Sequence, residues 1–415
     1  MDTLNVQGGY PLKGELKIQG SKNTVLPVMA AAVLYKGVTM LTNVPMIRDV
    51  YCMIHILEAI GVKIVFSDHC LTMDASLVES GEIPMEDVKR MRSSIMLLGA
   101  LLGRVGEAVT SYPGGCSIGL RPIDLHLKAL EQMGAEITED GIKIRAVASR
   151  LRGTHIRLDF PSVGATENIL LAAVAAEGVT VIDNAAREPE IIELCLFLQK
   201  MGVPVRGAGT GRIRIEGKRQ LRQTSYRITG DRIVAGTYLA AAAATGGEVR
   251  LTGIYTPYMA SVLQAFRKCG CDVTWGKEDV SLRSDRQIQA VPWLKTSPYP
   301  GFPTDMQSPF MALLAYGDGV SIIEETIFEG RLKLAAQLEK MGADIQVKET
   351  RARVTGQSRL RGTLVQAEDL RAGAALAVAA VGAEGMTRIA DPGYIKRGYE
   401  SIDQDLRSLG GKIWW

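Results

Sequence analysis

The sequence predicts an α/β protein with two domains, each made of three similar modules of helices and strands. Six segments, such as LEAIGVKI and LEQMGAEI, combine the end of an amphipathic helix, a glycine and a short apolar strand. Their glycines, at positions 61, 134, 202, 270, 342 and 410, recur at intervals of 73, 68, 68, 72 and 68 residues. The chain of 415 residues also exceeds the usual size of one domain. Six modules divide most simply into two groups of three.

A second pattern alternates with the first and completes each module. It consists of an Ala/Leu-rich helix, a glycine and a strand, as in LLAAVAAEGVTVI and YLAAAAATGGEVRL. The repeat is longer than those of solenoids, so we expect modules that cluster rather than stack. The fourth module begins near residue 230, and the first twenty residues look like a strand-rich arm that completes the last domain. We therefore expect one domain at 22–229 and another formed by 1–21 plus 230–415.

The composition excludes several classes of function. A formal charge of +3 is too small to indicate a nucleic-acid or membrane-surface partner. The N-terminus does not resemble a secretory signal, and no apolar stretch reaches the ~18 residues that span a bilayer. We therefore expect a cytoplasmic protein. The six cysteines form no CxxC pair and the four histidines show no metal-ligand spacing, so we expect neither a metal nor another cofactor.

Two short segments before apolar helices are candidate anion sites. GSKN places Lys22 and Asn23 where an Ala-rich helix begins, and helix N-termini favour anions. Asn23 is expected either to cap the helix or to hold a ligand, and an ordinary capped helix is the simpler alternative. Arg92 precedes another apolar helix, where it faces either a cleft or solvent.

Further candidates lie at the starts of other modules. Ser162, Val163 and Gly164 form a small-residue turn whose backbone N–H groups can bind an anion or a uracil-like ring. Asp305 follows a proline-rich turn, as either a helix-start charge or a catalytic carboxylate. Arginines at later module starts suit a dianionic substrate, although each alone is more often a surface ion pair; these segments contain Arg331, Asp369 with Arg371, and Arg397.

Cys116 lies in a glycine-rich turn, SYPGGCSIGLRPIDLHL, and is followed by Arg121. A cysteine at a loop tip is either an accident of composition or a reactive group. A thiol with an ordinary pKa near ~8.5, tuned by nearby cations, can serve as an acid near neutral pH.

Taken together, these segments resemble the enolpyruvyl transferases that act on UDP-N-acetylglucosamine. The resemblance covers the whole chain in order, through SKN, PGGCSIGLRPIDLH, SVGATENILLAA, REPEI, GDRIVAGTYLAAAA, GFPTDMQSP, DLRAGAALA and RGYE. It implies an inverse α/β barrel-like (prism) fold with three βαβαββ units per domain and an active site in the cleft between domains. It also implies two small-molecule partners, phosphoenolpyruvate and UDP-N-acetylglucosamine, and a monomer.

The resemblance further implies a role for each motif residue. Cys116 would be the loop acid, and Asp305 would accept the proton of the sugar 3′-hydroxyl. Lys22, Asn23, Arg121, Arg331 and Arg397 would bind phosphoenolpyruvate. The residues expected to hold the UDP-sugar or to complete the substrate site are Arg92, Arg121, Pro122, Ile123, Asp124, Leu125, Ser162, Val163, Gly164, Asp305, Ile327, Asp369 and Arg371.

Three alternatives remain open from the sequence. Val234, Gly330, Leu332 and Asp405 differ from the residues usual in the family, which leaves room for a non-catalytic copy that binds UDP-sugar. The sister transferase acting on shikimate 3-phosphate shares the fold but lacks the Gly-Gly-Cys loop. A thiol hydrolase built on Cys116 would need a histidine beside the thiol, and the sequence predicts none there.

Overall fold

The computed structural model describes residues 3–112, 123–356 and 359–415. Its α-helices are α1 (Lys22–Ala32), α2 (Arg48–Ala59), α3 (Met85–Arg90), α4 (Leu97–Val105), α5 (Asp124–Gln132), α6 (Val163–Ala175), α7 (Pro189–Lys200), α8 (Arg232–Thr245), α9 (Ala260–Lys268), α10 (Gln307–Leu314), α11 (Leu334–Lys340), α12 (Leu370–Gly382) and α13 (Ile402–Ser408). Short 3₁₀ helices cover Arg92–Met96, Thr256–Met259, Thr304–Met306, Glu329–Lys333 and Pro392–Arg397.

The strands are short throughout. They are β1 (Thr3–Gln7), β2 (Lys13–Lys17), β3 (Val38–Thr42), β4 (Lys63–Ser67), β5 (Cys70–Asp74), β6 (Glu107–Ser111), β7 (Glu136–Glu139), β8 (Lys143–Val147), β9 (His155–Arg157), β10 (Val179–Asp183), β11 (Val205–Arg206), β12 (Arg212–Glu216), β13 (Thr224–Arg227), β14 (Glu248–Thr252), β15 (Asp272–Trp275), β16 (Asp279–Arg283), β17 (Leu294–Lys295), β18 (Val320–Glu324), β19 (Asp344–Lys348), β20 (Arg351–Thr355), β21 (Leu364–Gln366), β22 (Met386–Ala390) and β23 (Lys412–Trp414).

Within the described ranges these strands form six small sheets, which share one plan. Five sheets have four strands, a parallel pair followed by two antiparallel strands, in the orders β13-β3-β5-β4, β9-β10-β12-β11, β2-β14-β16-β15, β17-β18-β20-β19 and β21-β22-β1-β23. The sixth, β6-β8-β7, has three strands, and a parallel bridge between Glu82 and Val109 occupies the place of its missing partner. The predicted sixfold repeat is therefore present as six sheets.

The chain divides into two compact units, which we call the middle unit (20–228) and the end unit. The end unit joins the N-terminal residues up to Gln19 to the segment from Thr229 onward. Three sheets belong to each unit. The middle unit takes β13 from its own C-terminal end to complete its first sheet, and the end unit takes β1 and β2 from the start of the chain.

In each unit the Ala-rich helices form the buried centre, and the sheets pack around these helices. In the middle unit, α4 packs closely against α6, and α1 contacts both. In the end unit, α8, α10 and α12 pack against one another. Almost every residue of these six helices is buried, because small alanine side chains allow close approach of their backbones. Several candidate site residues, among them Lys22, Ser162 and Asp369, lie at the N-termini of these helices.

The repeated glycines end the second helix of each module, as the sequence predicts. All six have a positive φ, between 84° and 102°, which side chains other than glycine rarely adopt. The expected core positions of Cys195, Cys269 and Cys271 are also confirmed, since all three side chains are buried. Across the described ranges, the helices are too short or too polar to cross a membrane.

Candidate active site

The first candidate residues begin α1 of the middle unit. Ser21 caps this helix, because its hydroxyl accepts a hydrogen bond from the N–H of Thr24. Lys22 therefore occupies the first helical turn, and its Nζ lies 2.6 Å from Oδ2 of Asp49, which is almost fully buried. Asn23 does not cap the helix; its Nδ2 donates to Oε1 of Glu190 at 3.4 Å.

An acidic group that the sequence did not single out lies on α6. Glu167 is buried, and burial, followed by the charges of Glu190 and Glu188, holds its pKa well above the usual range of a carboxyl group. The protonated form of Glu167 is therefore favoured more strongly than that of an ordinary carboxyl group. Its one sequence signal is that it lies with Thr166 and Asn168 in a short polar stretch before the apolar part of the helix, SVGATENILLAA.

The expected UDP-sugar residues of the middle unit converge on His126, in the first turn of α5. Ser162 caps α6 by accepting from the N–H of Ala165. The His126 ring lies directly over Gly164, where a Cβ would come within 2.9 Å of its Cε1 and 3.2 Å of its Nε2. Arg92 is near enough to lower the pKa of His126. The structure thus brings together Arg92, the start of α5 and the Ser162–Gly164 turn.

Other residues of the expected nucleotide segment lie beside this cluster or beyond it. Ile123 precedes α5, while Asp124 and Leu125 begin that helix. Asp124 pairs on the exposed surface with Lys128, at 3.4 Å. The predicted loop acid Cys116, with Arg121 and Pro122, lies outside the described residues.

The end unit contains a compact charged cluster around Asp305. One carboxylate oxygen of Asp305 accepts from Nη2 of Arg331, and the other accepts from Nη2 of Arg371 at 2.7 Å. The side chains of both arginines are at most 6% exposed. Although burial alone would raise it, the pKa of Asp305 is held well below its usual range by Arg371 and Arg331.

The guanidinium of Arg331 has hydrogen-bond donors that Asp305 does not use. Its Nε and Nη1 are buried and have no hydrogen-bond partner among the described residues. Buried donors left unpaired are costly, and a guanidinium in this state suits a carboxylate or a phosphate that can accept two hydrogen bonds. This arrangement is suited to binding an anion beside Asp305.

A buried carboxylate, Glu325, holds the backbone around this cluster. Its oxygens accept from the hydroxyls of Thr296 and Thr304, each at 2.9 Å. They also accept from the N–H groups of Ile327 and Phe328, at 2.7 and 3.1 Å. Thr304 immediately precedes Asp305, so Glu325 fixes the segment of Asp305 relative to the turn of Ile327. Sequence reasoning missed Glu325.

The remaining C-terminal candidates differ in what surrounds them. Oδ1 of Asp369 caps α12 by accepting from the N–H groups of Arg371 and Ala372, at 2.7 and 3.0 Å. Asp369 thereby positions the helix that carries Arg371. Arg397 ends the 3₁₀ helix Pro392–Arg397 and is half-buried.

The positions that depart from the family pattern are built into the end unit. Val234 and Leu332 are buried in its core, and Gly330 lies in the 3₁₀ helix before α11. Asp405 accepts from the buried hydroxyl of Tyr238 at 2.6 Å. Burial raises the pKa of Asp405 to about 6, with smaller contributions from Glu400 and Asp403.

Comparison with known proteins gives full-length matches. A family model described as EPSP synthase (3-phosphoshikimate 1-carboxyvinyltransferase) matches residues 6–406. UDP-N-acetylglucosamine 1-carboxyvinyltransferase 2 of Caldanaerobacter subterraneus subsp. tengcongensis is 46% identical, over 100% of this chain and 99% of its own. UDP-N-acetylglucosamine 1-carboxyvinyltransferase of Cellvibrio japonicus is 47% identical over the same shares.

Solved structures extend the match to the fold. The enolpyruvyl transferase NikO from Streptomyces tendae has a TM-score of 0.90 at 26% identity, covering 99% of this chain and 98% of its own. An EPSP synthase from Acinetobacter baumannii has a TM-score of 0.76 at 19% identity, with 100% of both chains covered, and shows the fold alone. The predicted α/β fold class with repeated modules is confirmed.

Proposed function

The chain belongs to the enolpyruvyl transferase family, and from this membership we propose that it acts as a UDP-N-acetylglucosamine 1-carboxyvinyltransferase. It transfers the enolpyruvyl group of phosphoenolpyruvate to the 3′-hydroxyl of UDP-N-acetylglucosamine and releases phosphate. This reaction is the first committed step in making peptidoglycan precursors. The proposal includes a monomer acting in the cytoplasm, with no nucleic-acid or membrane partner.

One observation carries the proposal over the shikimate alternative. Relatives named for the UDP-sugar reaction are 42% to 48% identical to nearly the whole chain, whereas the EPSP synthase structures are 19% and 20% identical. The sequence also contains the Gly-Gly-Cys segment, Gly114 to Cys116, that the shikimate transferases lack.

In this proposal, phosphoenolpyruvate binds through Lys22, Asn23, Arg121, Arg331 and Arg397. The Nε and Nη1 of Arg331 support its part, because a substrate anion would satisfy donors that have no acceptor among the described residues. Arg371, a second buried cation beside Asp305, also favours binding of an anionic substrate there. An active site in a cleft between the two domains stays a prediction.

Asp305 is the proposed proton acceptor. When the 3′-oxygen attacks C2 of phosphoenolpyruvate, its proton passes to the Asp305 carboxylate, and C3 gains a proton from an acid. Elimination then removes a proton from C3 and expels phosphate, which restores the double bond. The two arginines keep Asp305 ionised but also weaken it as a base. A substrate anion that accepts the hydrogen bonds of Arg331 and Arg371 in place of Asp305 would raise the pKa of Asp305. Asp305 would then become a stronger base once both substrates are bound.

Cys116 is the proposed acid that protonates C3. Serine is too weak an acid for this step, so Cys116→Ser should lose turnover, whereas Cys116→Asp should retain it with a pH profile shifted toward acid. Cys116→Asp should also resist the epoxide antibiotic fosfomycin, because opening the ring requires a thiolate. A fully active serine variant would remove the thiol from the mechanism.

The test of the function is phosphate release from phosphoenolpyruvate. We expect release with UDP-N-acetylglucosamine and none with shikimate 3-phosphate or with phosphoenolpyruvate alone. Release only with shikimate 3-phosphate would reassign the substrate. Binding of UDP-N-acetylglucosamine without any release would identify the non-catalytic alternative, for which the departures at Val234, Gly330, Leu332 and Asp405 are the motivation.

A further inference from the structure

Asn168 is a buried residue on α6 whose side-chain amide hydrogen-bonds to three other elements. Its Oδ1 accepts from the N–H of Gly99 at 2.8 Å, and its Nδ2 donates to the carbonyl of Ile95 at 2.9 Å. In a continuous helix, the N–H of Gly99 would donate to the carbonyl of Ile95. The side chain of Asn168 replaces that hydrogen bond, because it bonds to both groups at the junction between the 3₁₀ helix Arg92–Met96 and α4.

These hydrogen bonds of Asn168 fix the tautomer of His126. The Gly99 N–H identifies the oxygen of the amide, so both hydrogens of Nδ2 are donors, and one of them points to the Ile95 carbonyl. The other points to Nδ1 of His126, at 2.7 Å. Nδ1 must then be an acceptor, and the proton of the neutral ring lies on Nε2.

The ring stays neutral in its surroundings. Burial, and then the charge of Arg92, lowers the pKa of His126 to about 4, against a smaller opposite effect of Asp124. At neutral pH, His126 therefore presents a fixed N–H donor rather than a cation.

That donor is directed at the start of α6. His126 is 6% exposed, and its Nε2 has no hydrogen-bond partner among the described residues. The Nε2 edge lies over Gly164, at the second position of a helix of 13 residues. The first N–H groups of a helix have no acceptors within it and attract anions. An unpaired side-chain N–H and the helix N-terminus thus face the same place.

We infer that His126 is a substrate-binding residue whose Nε2–H donates to the diphosphate of the UDP-sugar, and that Asn168 is the positioning residue that orients it. The inference rests on the proposed function for the identity of the ligand. Gly164 is required because any side chain there would displace the ring.

Two substitutions of His126 separate the donor from the packing. Asn places an oxygen near the position of Nδ1, so His126→Asn keeps the bond to Asn168 and loses the outer donor. Gln reaches the position of Nε2, so His126→Gln keeps an N–H donor there. His155→Asn, on an exposed strand position paired with Asp183, is the matched control.

Calorimetry with UDP and with UDP-N-acetylglucosamine tests the inference. We expect His126→Asn to weaken binding of both ligands by about 10- to 100-fold, His126→Gln to retain most of the affinity, and His155→Asn to match the wild type. Thermal unfolding checks that the variants are folded. Unchanged binding by His126→Asn, or weaker binding by His126→Gln than by His126→Asn, would overturn the inference.

Two further readouts complete the experiment. Nitrogen-15 NMR of the ligand-free wild type should show a protonated Nε2 and an unprotonated Nδ1 for His126; the opposite tautomer would overturn the role of Asn168. Weaker binding of UDP-N-acetylglucosamine alone, with UDP unaffected, would contradict a contact to the diphosphate. Failure of the wild type to bind either ligand would instead contradict the proposed function.

Discussion

Asp305 balances two buried arginines, so its carboxylate has a structural role as well as the proposed chemical one. In Asp305→Asn, Arg331 and Arg371 would lose their shared counter-charge. We expect unfolding free energy to fall by about 3–5 kcal/mol and turnover of the folded enzyme to fall by about 10²–10⁴-fold. Chemical denaturation and phosphate release measure the two effects, with Asp318→Asn, an exposed position of the same unit, as the control.

The same variant should bind inorganic phosphate more tightly than the wild type, because donors now held by Asp305 become available to the ligand. Calorimetry with phosphate distinguishes this outcome from general damage. Weaker phosphate binding, or near-normal turnover, would show that Asp305 only positions its neighbours.

His126 makes stability depend on pH in a definite direction. Its pKa is about 4 in the folded protein, below the ordinary 6.5, so between these values the unfolded chain binds more protons. The contribution of the neutral ring to the free energy of unfolding is fully present above pH 6.5. As the pH falls toward 4, the free energy of unfolding decreases by up to about 3 kcal/mol. Urea unfolding should show a steeper loss between pH 7 and 4.5 for the wild type than for His126→Asn. Parallel pH dependences would contradict the buried neutral histidine.

The motifs of the sequence predicted the residues with charges at helix starts, such as Lys22 and Asp305, but not the residues that support them. Asn168 hydrogen-bonds to groups 42, 69 and 73 residues away, and Glu325 connects segments that are distant in sequence. Such partners leave no local pattern. A short polar stretch before an apolar run, as in ATEN, was the available signal.

At the scale of elements, capping explains why the predicted helix starts are correct. Ser21, Ser162, Asp231 and Asp369 each accept backbone hydrogen bonds at the start of an Ala-rich helix. Residues of these types before apolar runs are the usual N-terminal signal. The break before α4 was not predicted, because it depends on Asn168 from another helix.

Gly99 permits that break. A Cβ at this position would lie 2.2 Å from the backbone oxygen of Asn168, so Gly99→Ala should push α4 and α6 apart. We expect a loss of about 1–3 kcal/mol in unfolding free energy and weaker UDP binding through the displaced Asn168 and His126. Gly211→Ala, which meets open space, is the control. Full stability and affinity in Gly99→Ala would contradict the close approach.

At the scale of the whole molecule, we propose that the two units are separately folding domains. Among the described residues, the buried apolar core of the middle unit is formed by side chains between Val25 and Ile228. A fragment of residues 20–228 should therefore fold cooperatively and bind UDP. Circular dichroism with thermal unfolding measures this, and a fragment without a cooperative transition would contradict it.

The segment 229–415 should not fold alone, because it lacks β1, the strand between β22 and β23, and β2, the partner of β14. Residues 3–19 joined after Trp415 by a short Gly-Ser linker should restore folding. Asn5 pairs with Trp414 in antiparallel register, so this linker would close a hairpin. The sixfold repeat predicted the modules, and the strand-rich arm at the start of the sequence predicted that these residues complete the last domain. The sequence did not predict which strands the arm pairs with, because pairing over such distances leaves no local pattern.

The place of β1 also determines the order in which the protein is completed during synthesis. Within its sheet, β1 leaves the ribosome first, and its neighbours β22 and β23 follow only after the whole middle unit has been made. The middle unit has all its strands once β13 has emerged, and it can fold while the rest is translated. The N-terminal strand meanwhile carries unpaired N–H and C=O groups, an exposed edge of the kind that templates aggregation. A ribosome that stalls in the last module would therefore release a chain in which the middle unit is folded and β1 has no partner strand.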